Sequence, residues 1–353
     1  MANRTTKYFT TREQTIIFFT MPMADSKKFP FLILFLLFML HLHESTAQIK
    51  GGYWFPASGF PASNINSKLF THLFCASTDV DPNTYKVTIS SSNSPHFSSF
   101  TQIVQQKNPS VKTLLSIGGG NANPSIFSAM ASQNSSRKSF INSSIQLDRS
   151  NNFHGIDLHW EYPSSTTNMQ NFGVLAREFR ASLISEGKTF EIPPLIFLGN
   201  VIYSIDLQPL NYAEIEEISD FVNVMAYDFH GPNWFPNRTA PPAALYSQQN
   251  SGVYQVSGDQ GIRSWIGAGV AARKLILGVP YYGYAWRLVN GNNNGLYAPA
   301  NGSAFGGDGS MGYNQIRAFV SQNRAVCVCT IQPWSQITAM LGQHGLATMM
   351  FRV

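Results

Sequence analysis

The chain has 353 residues, of which 44% are hydrophobic and only 12% charged, with 26 Phe and 14 Tyr among them. That aromatic load argues against disorder, and the length suits one large domain. The formal net charge of +5 is spread out, with no basic run interleaved with aromatics, so nucleic acid is not implied as a partner.

Residues 1–22 precede Met23 and carry no readable pattern. Residues 23–47 read as a secretory signal. Lys27 and Lys28 precede an apolar run from Phe29 to Leu40, and Ser45-Thr46-Ala47 offers small residues for cleavage. The run is too short to span a bilayer comfortably. The expectation is therefore an N-terminal extension and leader over 1–47 and one domain over 48–353. The mature protein would be secreted or vacuolar, with no membrane attachment.

Short apolar strands follow near 51–55, 71–76, 113–117, 155–161, 195–199, 221–227 and 275–280. Amphipathic helices are predicted between them, near 97–107, 137–147, 168–186 and 261–268. Strands alternating with helices predict a parallel α/β sheet. No dinucleotide-type glycine fingerprint follows the first strand, which favours a (β/α)8 barrel over a doubly wound sheet. Three cysteines make no disulfide framework. Cys75 falls in an apolar strand and reads as a core residue. Cys327 and Cys329 suit one face of a strand, and without further ligands they make no metal clamp. No metal or other cofactor is expected. Asn134, Asn142, Asn237 and Asn301 each begin an N-x-Ser/Thr sequon, which predicts exposed and glycosylated loops in a secreted chain.

The most informative stretch is Phe-His-Gly-Ile-Asp-Leu-His-Trp-Glu-Tyr-Pro, from Phe153 to Pro163. As a strand it sends Ile156, Leu158 and Trp160 to one face. Asp157, His159 and Glu161 share the other, each roughly 7 Å from the next. A file of titratable groups on a strand flanked by large apolar residues is costly unless the groups are paired or used.

This stretch resembles the signature of the family 18 glycoside hydrolases, the chitinase family, whose pattern D-x-x-D-x-D-x-E here reads His154, Asp157, His159, Glu161. The final Glu and the middle Asp are kept, and two acidic positions have become His. Other stretches resemble plant class V chitinases in the right order. They are Gly51-Gly52-Tyr53-Trp54 on the first strand, His72-Leu73-Phe74-Cys75-Ala76 on the second and Leu115-Ser116-Ile117-Gly118-Gly119 on the third. Met225-Ala226-Tyr227-Asp228 resembles the sixth, and Tyr281 to Leu288 the end of the seventh. The resemblance implies a (β/α)8 TIM barrel with a small α+β insertion over about 283–333, shortened here. Gly345-Leu346-Ala347 resembles the start of the eighth strand, with Phe351 or Arg352 where the family places a Trp. The resemblance also implies a closing helix after the eighth strand, for which the sequence as given, ending at Val353, leaves no residues.

The resemblance also implies roles. Glu161 is the general acid, Tyr227 orients the substrate acetamido group, Asp228 contacts it, and Asp157 supports the site from below. His159 stands where the family has the carboxylate that raises the acid's pKa and steadies the reacting acetamido group; it could equally be a core histidine bonded to Asp157 or Tyr227. His154, at the strand's start, reads as structural. Met225 packs under the sugar, and Tyr53, Trp54, Phe74, Trp234, Tyr281 and Trp286 are aromatic candidates for sugar stacking. The expected partner is chitin or N-acetylated chito-oligosaccharides, bound by a monomer. The rival to a hydrolase of reduced turnover is a chitin-binding lectin that kept the groove and lost the chemistry. A decayed copy that does not fold stably is the third.

Overall fold

In the computed structural model, residues 49–191, 196–202, 217–247, 256–323 and 348–352 are described. The signal segment, Cys327, Cys329 and Gly345-Leu346-Ala347 lie outside them. The strands that organise the chain are β1 (Lys50–Trp54), β2 (His72–Val80), β4 (Lys112–Gly118), β5 (Gly155–His159), β6 (Ile196–Ile202), β7 (Phe221–Met225), β8 (Leu275–Pro280) and β13 (Thr348–Arg352). They pair in parallel in the order β1-β2-β4-β5-β6-β7-β8-β13, and β1 also pairs with β13, Gly52 level with Phe351 and Tyr53 with Arg352. A short strand β3 (Val87–Thr88) runs antiparallel on the end of β2.

Alternation along the strands sorts side chains into two layers. Tyr53, Phe74, Leu114, Phe221 and Ile276 form one cluster, together with the Asp157 face. Trp54, Leu73, Cys75, Leu115, Ile117, Ile156 and Leu158 face the opposite way, toward the helices. Helix α1 (Ser94–Gln105) buries Phe97, Phe100 and Val104 at helical spacing against this layer. Helix α3 (Asn134–Ser150) contributes Phe140 and Ile141, and α4 (Thr166–Thr189) contributes Leu175, Phe179 and Leu183. The start of α4 is fixed by the Ser165 hydroxyl, which accepts the Asn168 N–H at 3.1 Å. Ser257 caps α5 (Gly258–Gly267) in the same way, accepting the Gln260 N–H at 3.3 Å.

Some expectations are corrected. Helix α2 (Pro124–Ser132) was not read from the sequence, although Asn123 caps it by accepting the Ser125 N–H and Pro124 opens it. Strands β5 and β7 stop at His159 and Met225, so Glu161 and Tyr227 lie beyond the ladder, at its C-terminal mouth. Asn134 and Asn142 are exposed but not in loops: the first begins α3, and the second lies inside it. Asn237 and Asn301 are exposed, in a turn and on strand β11 (Ala300–Ser303). Cys75 is fully buried and its thiol pKa is pushed up by burial. The segment after β8 builds two antiparallel ribbons, β9 (Tyr282–Tyr284) with β12 (Ser310–Gly312) and β10 (Trp286–Leu288) with β11, followed by α6 (Tyr313–Gln322).

Two histidines lie at the opposite, N-terminal end of the sheet. His154 Nδ1 lies 3.2 Å from the Thr113 amide, which donates to it, and its Nε2 lies 3.4 Å from Gln105 Nε2. It is structural, as the sequence suggests. His72 meets the Phe221 ring edge-on at 5.2 Å, and its Nδ1 is 2.9 Å from the Thr71 hydroxyl. Burial first, then Lys112 and His154, lowers the His72 pKa from 6.5 to about 4. The unfolded chain therefore takes up this proton first. The stabilisation is fully present above pH 6.5 and is lost as pH falls toward about 4. Urea midpoints should fall between pH 7 and pH 4.5, and His72→Gln should narrow that fall.

Candidate active site

The site grows from the inward face of β5. Asp157 is fully buried, and its Oδ2 accepts hydrogen bonds from the Tyr53 hydroxyl at 2.8 Å and the Ser116 hydroxyl at 2.7 Å. Asn223 Nδ2 donates to the Tyr53 oxygen at 3.0 Å. One carboxylate thus ties together β1, β4, β5 and β7. A buried carboxylate needs such donors, because an uncompensated one costs several kcal/mol, on the order of 3–5.

His159 and Glu161 follow on the same side, with side chains only 8% and 15% exposed. His159 Nε2 approaches Glu161 Oε1 to 2.6 Å, without the alignment of a formed hydrogen bond. The contact supplies no second negative charge.

The glycines after β4 shape the same place. Gly118 has φ of +100°, and a Cβ there would lie 2.3 Å from the His159 carbonyl oxygen. The Gly119 N–H donates to that oxygen at 2.7 Å, and Gly120 faces the Glu161 carboxyl. These glycines bring backbone to the mouth where a side chain would collide. The cavity over them holds about 320 Å³. Buried Tyr53, Ser116 and His159 and half-buried Tyr227 line it, together with exposed Phe55 and Asp79.

On the side of β7 and β8, Tyr227 lines the cavity. Met225 is buried at the end of β7. Gly278 leaves room for the Tyr227 ring, since a Cβ there would stand 2.8 Å from it. Asp228 sits at φ 60°, and its Oδ1 accepts the Tyr282 hydroxyl at 2.6 Å and the Tyr284 hydroxyl at 2.9 Å. Burial first, then the Asp228 charge, pushes the Tyr284 pKa up. Tyr282 and Tyr284 were missed in the sequence reading. Their i, i+2 spacing, which puts both on one strand face, was the available signal.

The aromatic candidates divide. Trp54 is corrected: it is 3% exposed, stacks on Phe100 at 5.1 Å and donates to the Phe60 carbonyl, so it belongs to the layer under the helices. Phe74 is corrected too. It is fully buried and stacks on Tyr53 at 4.5 Å, so it supports the floor from beneath. Tyr53 lines the cavity. Trp234 is 49% exposed and meets Tyr284 edge-on at 5.4 Å. Trp286 is held by its N–H to the Phe235 carbonyl at 2.9 Å. Tyr281 packs edge-on against Tyr313, 6.3 Å away. Among the described residues no group of three His, Cys, Asp or Glu could hold a metal ion.

An acid, a histidine and tyrosine hydroxyls thus gather at the C-terminal mouth of a parallel α/β sheet, and residues 49–341 match Glycosyl hydrolases family 18, so the chain belongs to that family. Relatives are specific in kind. The chain is 52% identical over 308 residues to a class V chitinase of Arabidopsis thaliana, covering 86% of this chain and 80% of the relative. The solved class V chitinase of Nicotiana tobaccum superposes with a TM-score of 0.82 at 42% identity, over 86% of this chain and 93% of that one; a mutant of it was solved in complex with NAG4. A chitinase-like agglutinin from Robinia pseudoacacia superposes with a TM-score of 0.77 at 44% identity, over 85% and 93%.

Tyr53→Phe should remove the donor to Asp157 and the acceptor of Asn223 together. The expected loss is about 1–3 kcal/mol of unfolding free energy, read from urea midpoints.

Proposed function

We propose that this chain is a secreted chitinase-type hydrolase of reduced turnover, acting on β-1,4-linked N-acetylglucosamine oligomers or polymers. The parallel strands close as a (β/α)8 barrel, supported by the pairing of β1 with both β2 and β13, and the cleft lies at the C-terminal ends of the strands.

Glu161 gives its proton to the leaving glycosidic oxygen. The substrate's own acetamido carbonyl oxygen attacks the anomeric carbon, and water later opens the oxazolinium-like intermediate. Tyr227 orients that carbonyl, and Asp228, clamped by Tyr282 and Tyr284, presents its other oxygen to the acetamido group or a hydroxyl. The chemistry asks residue 159 for a negative charge that raises the acid's pKa and offsets the charge developing on the sugar. An imidazole offers one acceptor nitrogen when neutral and the wrong charge when protonated. The observation that carries the proposal of reduced turnover is the 2.6 Å approach of His159 to Glu161, which places imidazole against the acid itself.

His159→Asp should raise kcat on chito-oligosaccharides by on the order of 10²–10³ with little change in binding. Glu161→Gln should abolish turnover in either background while binding persists. A parent that binds but gains nothing from His159→Asp would favour the second reading, a chitin-binding lectin. That reading is supported by the likeness to the agglutinin. Secretion has its own check: mass spectrometry of protein from a eukaryotic culture medium should find an N-terminus near Gln48.

A further inference from the structure

The outer part of the cavity carries a charge that the reaction does not use. Asp79 lines the same cavity as His159 and Tyr227, beside Phe55 and Asn121. The residue is exposed, and among the described residues its carboxylate has no hydrogen-bond or ion-pair partner; its backbone pairs with Thr88 on β3, whose hydroxyl also reaches the Asp79 carbonyl. No Lys or Arg lines the cavity. Its position follows from register. Thr78 is level with Ile117, and Ile117 with Leu158. Asp79, one residue on, therefore stands level with His159 but two strands away, on the order of 10 Å. That span admits more than one pyranose. The cavity is thus electrically asymmetric, with a buried imidazole on one side and, two strands away, an exposed carboxylate that marks its outer end.

We propose that Asp79 is a specificity residue that selects a free-amine glucosamine unit at the outer end of the cleft, making partially N-deacetylated chito-oligosaccharides the preferred ligands. The inference rests on the reading of the cleft as a chito-oligosaccharide site. A protonated sugar amine faces an unpaired carboxylate there and gains Coulomb energy with no competing cation. At the inner end the same amine meets imidazole and loses the acetamido group that Tyr227 and Asp228 address. An acetylated unit belongs inside, therefore, and a deacetylated one outside. Phe55, 38% exposed at the outer rim, offers its ring to the sugar face.

The test is calorimetry on the Glu161→Gln protein, which prevents turnover during titration. The ligands are N-acetylchitotetraose and tetramers with one free amine walked along the four units, at a pH where the amine is protonated. One position should bind on the order of three- to fivefold tighter than the fully acetylated tetramer, the size expected of an exposed ion pair. The gain should shrink with added salt, and Asp79→Asn should bring the affinity ratio to about one. A gain at no position, or one that survives Asp79→Asn in protein of unchanged melting temperature, overturns the proposal while the cleft reading stands. Failure of the acetylated tetramer itself to bind removes the cleft reading, and the proposal with it.

Discussion

The architecture of the site depends on one buried carboxylate. Asp157 has no exposure, and its charge is compensated by hydroxyls delivered from two other strands, Tyr53 on β1 and Ser116 on β4. Asn223 on β7 fixes the Tyr53 hydroxyl in turn. Because burying a charge is expensive, these strands must stand in one register for the network to close. That register also decides what lies above. His159 follows Asp157 by one inward step, and Glu161 emerges just past the end of the ladder. The rigid interior of the sheet thereby aims the groups at its mouth.

The same logic explains why the glycines cluster where they do. Gly118 is level with His159 across the β4–β5 pair, and its backbone turns away at a left-handed φ that leaves the His159 carbonyl free to accept the Gly119 N–H. Gly278 does the corresponding job on β8, leaving volume for the Tyr227 ring. Two strands at opposite sides of the site thus give up side chains so that a neighbour's can occupy the mouth.

Residue 159 shows how little the fold constrains the chemistry. An imidazole fits the space, stays largely buried and touches the acid at the end of a regular strand. The consequences are electrostatic. A carboxylate there would repel a second negative charge and attract a developing positive one, and an imidazole does neither. A change of chemistry at this one side chain would leave the fold intact.

Much of this was legible in the residues. Alternation over 153–163 identifies the strand and puts Asp157, His159 and Glu161 on one side, because side chains on a strand repeat every second residue. The glycine pair after Ser116 marks a place where backbone comes close. What could not be read there is which aromatics face the cleft. Tyr53 and Trp54 are adjacent and equally suited to stacking, yet one donates to Asp157 and the other stacks on Phe100 under a helix. The local pattern Gly-Gly-Tyr-Trp has no polar residue to show which face is which. Tyr282 and Tyr284 gain their role only because the chain reverses after β8 and brings both hydroxyls to Asp228, 54 and 56 residues earlier. Sequence alone determined the strand-and-helix alternation and the file of titratable groups, since both are set by local periodicity. Only the tertiary structure decided the partners of Asp157 and Asp228, because those contacts join distant parts of the chain and depend on register.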